Sequence, residues 1–201
     1  MRSFGEILAV SDRGKILRVA CQIPSVSSIV EVGTLDGTGS TKLIIEELSI
    51  KARGSRTVQL VTVEANKAAH ELAIANIGRP EIPVQIVHGS LIHVDSPLLL
   101  VGLNHQESVW FQSDANTRFT NVPNILEHIP AQFDLLVLDG GEFTTFNDYL
   151  VLRNRCTYLF LDDINVRKNR LVLQTALDDG FSLLKVTDEA NGACLLGRVA
   201  A

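Results

Sequence analysis

Hydrophobic and polar positions alternate along this chain in two rhythms. Short apolar runs bounded by turn residues read as buried strands, and the stretches between them carry apolar residues at helical spacing. Residues 27–33 (SSIVEVG) are a strand ending in a Gly-rich turn. Thr41, Ile44, Ile45, Leu48 and Ala52 then mark one helical face. Residues 57–64 (TVQLVTVE) form a second strand. Asn66 is placed to cap the next helix, whose face is Ala69, Leu72, Ala73 and Ile77, and Gly78 with Pro80 ends it. Residues 84–89 are a third strand, 133–139 a fourth and 156–162 a fifth, with a helix near 143–152. A helix through Asn169, Val172, Leu173 and Ala176 stops at Gly180, and Ala190-Asn191-Gly192 turns a final hairpin. Strands alternating with helices give an α/β fold: a mostly parallel sheet with an antiparallel C-terminal hairpin and helices on both faces.

The rhythm fails between Leu91 and Gln132, which holds Pro97, Pro123, Pro130 and the single tryptophan, Trp110. A connection of this length is usually functional. It is expected to be an insertion (91–132) with one or two short helices acting as a lid, with Trp110 and Phe111 lining an acceptor pocket or anchoring the insertion. Residues 1–28 are expected to supply a helical cover for the sheet edge, so that 1–201 is one domain.

Composition narrows the function. Eighteen Lys and Arg stand against 23 Asp and Glu, a net charge of -5, with no basic run to track phosphates and only 5% aromatic residues to stack bases. The expected partner is therefore a small molecule, not nucleic acid. No apolar stretch approaches the length of a membrane span, and with Arg2, Glu6, Asp12, Arg13 and Lys15 among the first twenty residues no signal sequence is expected there. Cys21, Cys156 and Cys194 form no close pair, indicating neither a disulfide framework nor a zinc site. A cytoplasmic location and no membrane partner are expected, with a homodimer left open.

Ligands of open α/β sheets bind at the carboxyl ends of the strands, and here each end is polar. The first reads Glu31-Val32-Gly33-Thr34-Leu35-Asp36-Gly37-Thr38-Gly39, and Glu64 closes the second. Gly89-Ser90-Leu91 follows the third, Asp139-Gly140-Gly141-Glu142 the fourth and Asp162-Asp163 the fifth. Glycines allow close backbone approach to a ligand, or simply a tight turn, and their spacing is not the dinucleotide fingerprint. An acid at the end of the second strand suits a ribose diol, which points to an adenosine-containing cofactor.

The run IVEVGTLDGTGSTKLIIEEL resembles the first motif of class I S-adenosylmethionine-dependent methyltransferases, in the form used by catechol and caffeoyl-coenzyme-A O-methyltransferases. LVTVEANKAAHELAIANI resembles the second motif and VQIVHGSL the third. FDLLVLDGGEFTTFNDYLVL with CTYLFLDDIN resembles the fourth and fifth, especially in relatives reading I-D-G-x-H. The resemblance covers 29–199 and implies a Rossmann-like sheet. It places Glu31, Gly33, Thr34, Gly37, Thr38 and Gly39 around the methionine part of S-adenosylmethionine. Glu64 with Ala65 falls at the ribose, Ser90 and Leu91 at the adenine, and Asp139 at the cofactor amino group. In the metal-dependent branch it implies Mg²⁺ on Asp139, Asp162 and Asp163, whose hard oxygen ligands suit that ion.

Two departures stand out. Glu142 replaces the Lys or His that follows the first metal Asp in those relatives, and is either a base or a cap for the helix near Phe143. Strand alternation sends Asp162 and Asp163 to opposite sides, so Asp163 is a ligand only if the backbone has left the strand, and otherwise a charge at a helix N-terminus. His70 is expected on an exposed helix face. His93, His105 and His128 fall in the insertion, where His105 alone stands near Trp110. The function expected is O-methylation of a small sugar or phenolic metabolite, with Asp139 and Glu142 catalytic. A non-catalytic methyltransferase-like binding domain is the alternative, and a nicotinamide-dependent oxidoreductase fits the glycine spacing less well.

Overall fold

The apolar runs become seven strands of one sheet in the computed structural model, which describes residues 7, 10–91, 103–119 and 122–198. They are β1 (Ser28–Val32), β2 (Gln59–Glu64), β3 (Val84–His88), β4 (Phe133–Leu138), β5 (Cys156–Asp162), β6 (Phe181–Thr187) and β7 (Ala193–Arg198). Their order is β3-β2-β1-β4-β5-β7-β6, parallel from β3 to β5 and antiparallel at β7 and β6. Successive side chains alternate across the pleat. Val30, Val32, Leu136, Leu138, Leu159 and Leu161 therefore join one core. Ile29, Leu135, Val137 and Phe160 join the other. The β1–β4 register is fixed at its start by Asp134, whose carboxylate accepts from the backbone N–H and hydroxyl of both Ser27 and Ser28 at 2.8–3.0 Å.

Helices α1 (Asp12–Gln22) and α2 (Ser40–Arg53) cover the second core, through Leu17, Ala20, Cys21, Leu43, Ile44 and Leu48. The first core is covered by α5 (Thr145–Leu152) and α6 (Arg167–Asp178), through Tyr149, Leu152, Val172 and Ala176. The N-terminal segment supplies a helix at this end of the sheet: α1 lies on a sheet face beside α2, against β5, β7 and the edge strand β6. Cys21, Cys156 and Cys194 are all buried free thiols.

Helix α3 (Lys67–Ile77) is capped by Asn66, whose side chain accepts from Ala69 N–H. Only Ala73 of its expected face is buried, and Leu72 is 55% exposed. The helix leans on β2 and the edge strand β3, too narrow a platform to bury a full stripe. His70 is not on the open face as expected. It is half-buried, with its ring 5.3 Å from that of His88 on β3 and Nε2 3.4 Å from Ile86 O.

The insertion contributes α4 (His105–Phe119) and a short 3₁₀ turn, Leu126–His128. A reciprocal capping pair starts α4: Glu107 N–H donates to Asn104 Oδ1 and Asn104 N–H to Glu107 Oε2, both at 2.8 Å. The stretches 92–102, with His93, and 120–121 lie outside the described residues. No described helix is long and apolar enough to cross a membrane.

Candidate functional site

Crossovers from β1 and β4 leave in opposite directions along the sheet, and the carboxyl ends of β1, β2, β3 and β4 open into a cavity of about 720 Å³. The loop after β1 reaches it through Gly33, whose φ is +106°. A Cβ there would stand 2.2 Å from the Asp139 carbonyl, so only glycine lets the β1 and β4 loops close on each other. Leu35 follows with φ +51°, and its N–H donates to Glu64 Oε2 at 2.7 Å. Asn66 N–H donates to Glu64 Oε1, also at 2.7 Å. Each Glu64 oxygen is thereby held by one backbone donor and keeps acceptor capacity toward the cavity. Burial nevertheless pushes its carboxyl above the ordinary value.

Beneath this floor lies Glu31. Its carboxylate accepts from Ser40, Thr41 and Thr62 hydroxyls at 2.6 Å each, and Thr62 also bonds Thr34. Full burial pushes Glu31 up to about 7, an effect the three hydroxyls only partly oppose.

Beyond the cavity, the ends of β4 and β5 carry a buried charge cluster. One oxygen from each of Asp139, Asp162 and Asp163 lies within 4.8 Å of the others. Asp163 has φ +56°, so the backbone leaves strand geometry immediately after Asp162 and swings the Asp163 side chain back toward Asp139. Lys168, in the first turn of α6, puts Nζ 2.8 Å from Asp139 Oδ1 and 2.8 Å from Asp163 Oδ2. Arg13 comes from α1 on the other sheet face, with Nη1 2.9 Å from Asp162 and 3.5 Å from Asp163. Burial alone would lower the Lys168 pKa, but Asp139 and Asp163 outweigh it and hold the ammonium charged. Glu142 accepts from the backbone N–H of Lys168 at 3.1 Å. Asn169 Nδ2 bonds the carbonyls of Leu138 and Asp162.

No family profile matches the chain, and no curated protein matches its sequence. Solved structures match its fold. Precorrin 8W decarboxylase of Methanobacterium thermoautotrophicum superposes with TM-score 0.58 at 15% identity, over 96% of this chain and 91% of that one. A candidate RNA methyltransferase of Pyrococcus horikoshii does so with 0.53 at 10% identity, over 94% and 83%. TrmK of M. capricolum, in complex with S-adenosylhomocysteine, gives 0.50 at 11% identity, over 95% and 70%. The fold is the class I methyltransferase fold. The catechol and caffeoyl-coenzyme-A branch is not singled out by these likenesses.

Gly33, Thr34, Gly39, Glu64, Ala65, Ser90, Leu91 and Asp139 all line the cavity. Glu31, Gly37 and Thr38 do not. Glu31 braces the floor, Gly37 (φ +79°) makes room for Ile77 of α3, and Thr38 folds onto Asp36 Oδ1 at 2.7 Å. The expected base or cap Glu142 also stands off the cavity, and it caps α6 instead of the helix near Phe143, because α5 begins only at Thr145. Asp163 caps no helix, since α6 starts four residues later.

Trp110 is 42% exposed and is not among the described residues that line the cavity. Phe111 does the anchoring, edge-on to Phe143 at 5.4 Å. His105 is exposed and off the cavity as well.

The trio Asp139, Asp162 and Asp163 converges as a Mg²⁺ site requires, but it does not fit that ion. The buried cations Lys168 and Arg13 already take up all of its oxygens but Asp139 Oδ2. Asp36, within the first polar strand end, also lines the cavity, and so do Leu72, Asp114 and Asp148, which the sequence did not mark as site residues, with Arg13 and Lys168 behind the wall. One signal was available: Arg167-Lys168 puts two positive charges in the first turn of α6, the end where the helix dipole disfavours them.

Proposed function

We propose that the chain is an S-adenosylmethionine-dependent methyltransferase acting on an oxygen of a small molecule, the cofactor lying in the 720 Å³ cavity. The observation that carries this reading is Glu64, a carboxylate at the end of β2 whose oxygens are oriented by two backbone donors toward that cavity. The cofactor supplies an electrophilic methyl on a sulfonium. In this reading Glu64 accepts from both ribose hydroxyls, while Ser90 and Leu91 flank the adenine. Asp139 has Oδ1 on Lys168, and no described residue hydrogen-bonds its Oδ2, which is the oxygen available to the ligand. Burial raises the Asp139 carboxyl against the pull of Lys168, which makes it a better proton acceptor for a hydroxyl undergoing methylation.

A small acceptor is favoured over RNA by charge. The ionisable residues lining the cavity, among those described, are Asp36, Glu64, Asp114, Asp139, Asp148 and Asp163, with no Lys or Arg to meet phosphates. A turnover screen of small-molecule acceptors should also include an RNA, because one structural neighbour is a candidate RNA methyltransferase.

Calorimetric titration with S-adenosylhomocysteine tests the reading. Glu64→Ala should weaken binding by about 10–150-fold, the ~1.5–3 kcal/mol of a charged bidentate acceptor, with the melting temperature retained. Equal affinity in a folded variant, or wild-type affinity for NADH instead, overturns it.

A further inference from the structure

Three carboxylates facing one another at the ends of two adjacent strands need a counter-charge. This chain provides one from each side of the sheet. Lys168 rises from α6 and Arg13 from α1, and they share Asp163 between them. The Lys168 side chain is only 7% exposed, and both of its ends are fixed. Glu142 holds its backbone N–H at 3.1 Å, and Asp139 and Asp163 hold Nζ at 2.8 Å each. An ammonium equidistant from two carboxylates of such a trio stands where a bridging cation would stand.

We propose that Lys168 is the resident cation of this trio and excludes divalent ions from it, so that the methyl acceptor is a group that needs no chelation. A Mg²⁺ ion needs several oxygens at close to octahedral positions. Here Asp162 is committed to Arg13 through both oxygens, at 2.9 and 3.1 Å, and Asp139 Oδ1 and Asp163 Oδ2 to Lys168. Admitting the ion would bring two further positive charges against two buried cations, or drive Lys168 out of its packing. Glu142 follows from the same arrangement: it is a positioning residue for Lys168. The acceptor clause rests on the methyltransferase reading. It excludes vicinal diols that rely on a metal for orientation and leaves acceptors held through one hydrogen bond to Asp139 Oδ2.

Mn²⁺ titration followed by electron paramagnetic resonance tests the cation claim without any cofactor. The intact wild-type chain should bind no Mn²⁺ at the trio. Lys168→Met should gain affinity on the order of a hundredfold as the repelling charge is removed, and the added change Asp163→Asn should abolish the gain. If Lys168→Met folds only with Mn²⁺ present, circular dichroism with and without the ion reads the same gain. Wild-type Mn²⁺ binding that Asp163→Asn removes overturns the proposal, as does a folded Lys168→Met with no gain. The wild-type titration decides even where the variant fails to fold. S-adenosylhomocysteine binding is measured separately, and its failure removes only the acceptor clause.

Discussion

Glu31 and Glu64 show how one residue type serves opposite ends at successive strands. Glu64 sits one position past the apolar run, meets backbone donors and looks into the cavity. Glu31 sits inside its strand, so the pleat turns it under the loop, where the hydroxyls of Ser40, Thr41 and Thr62 reach it. That placement has a measurable cost. The contribution of Glu31 to stability is complete below its ordinary value near 4.5 and disappears as pH climbs through about 7. The span corresponds to about 3 kcal/mol. Glu31→Gln cannot ionise, so the melting-temperature advantage of wild type over the variant should shrink by roughly 5–10 °C between pH 5 and pH 8. Scanning calorimetry at the two pH values reads it, and a constant difference would show that Glu31 stays ionised throughout.

At the scale of elements, strands and helices were legible because their periods differ, and Asn66 and Gly78 punctuate α3 where the spacing predicts. Element faces were less so. Leu72 belongs to the right stripe, but nothing in the sequence says that β3 is an edge strand and leaves α3 half supported. The site was legible where chemistry follows a strand end, as at Gly33, Glu64 and Asp139. It was hidden where a distant helix returns a charge, as Arg13 does across 149 positions to Asp162.

The insertion shows the same limit. Adjacent aromatics mark α4 as an element that docks, but not which ring docks. Phe111 packs on Phe143, Asp114 accepts from Phe143 N–H at 3.1 Å, and Glu107 meets Arg167 at 3.3 Å. Phe111→Ala should therefore lower stability by about 1–3 kcal/mol. Trp110→Ala should change it by less than about 0.5 kcal/mol. Chemical denaturation of the two variants side by side reads the contrast, and an equal loss from both would move the anchor to Trp110.

Across the whole molecule, the sheet is what makes the separate parts cooperative, and its three thiols sit at different depths of that cooperation. Cys156 and Cys194 belong to β5 and β7 and to the core beneath α5 and α6. Cys21 is carried by α1 on the opposite face. Burial pushes all three thiols up, Cys156 and Cys194 to about 12, so the native chain presents no thiolate to a disulfide reagent at neutral pH. Modification then has to wait for an opening that exposes each sulfur. Lifting α1 uncovers Cys21 and leaves the sheet intact, whereas Cys156 and Cys194 sit on strands of the sheet itself and are reached only when the core beneath α5 and α6 opens. Timed alkylation read by mass spectrometry should show one fast site at Cys21. Two slow sites should follow, their rates rising with urea as steeply as global unfolding does. The cysteines become three clocks, one timing the loosening of a single helix and two the loss of the entire sheet.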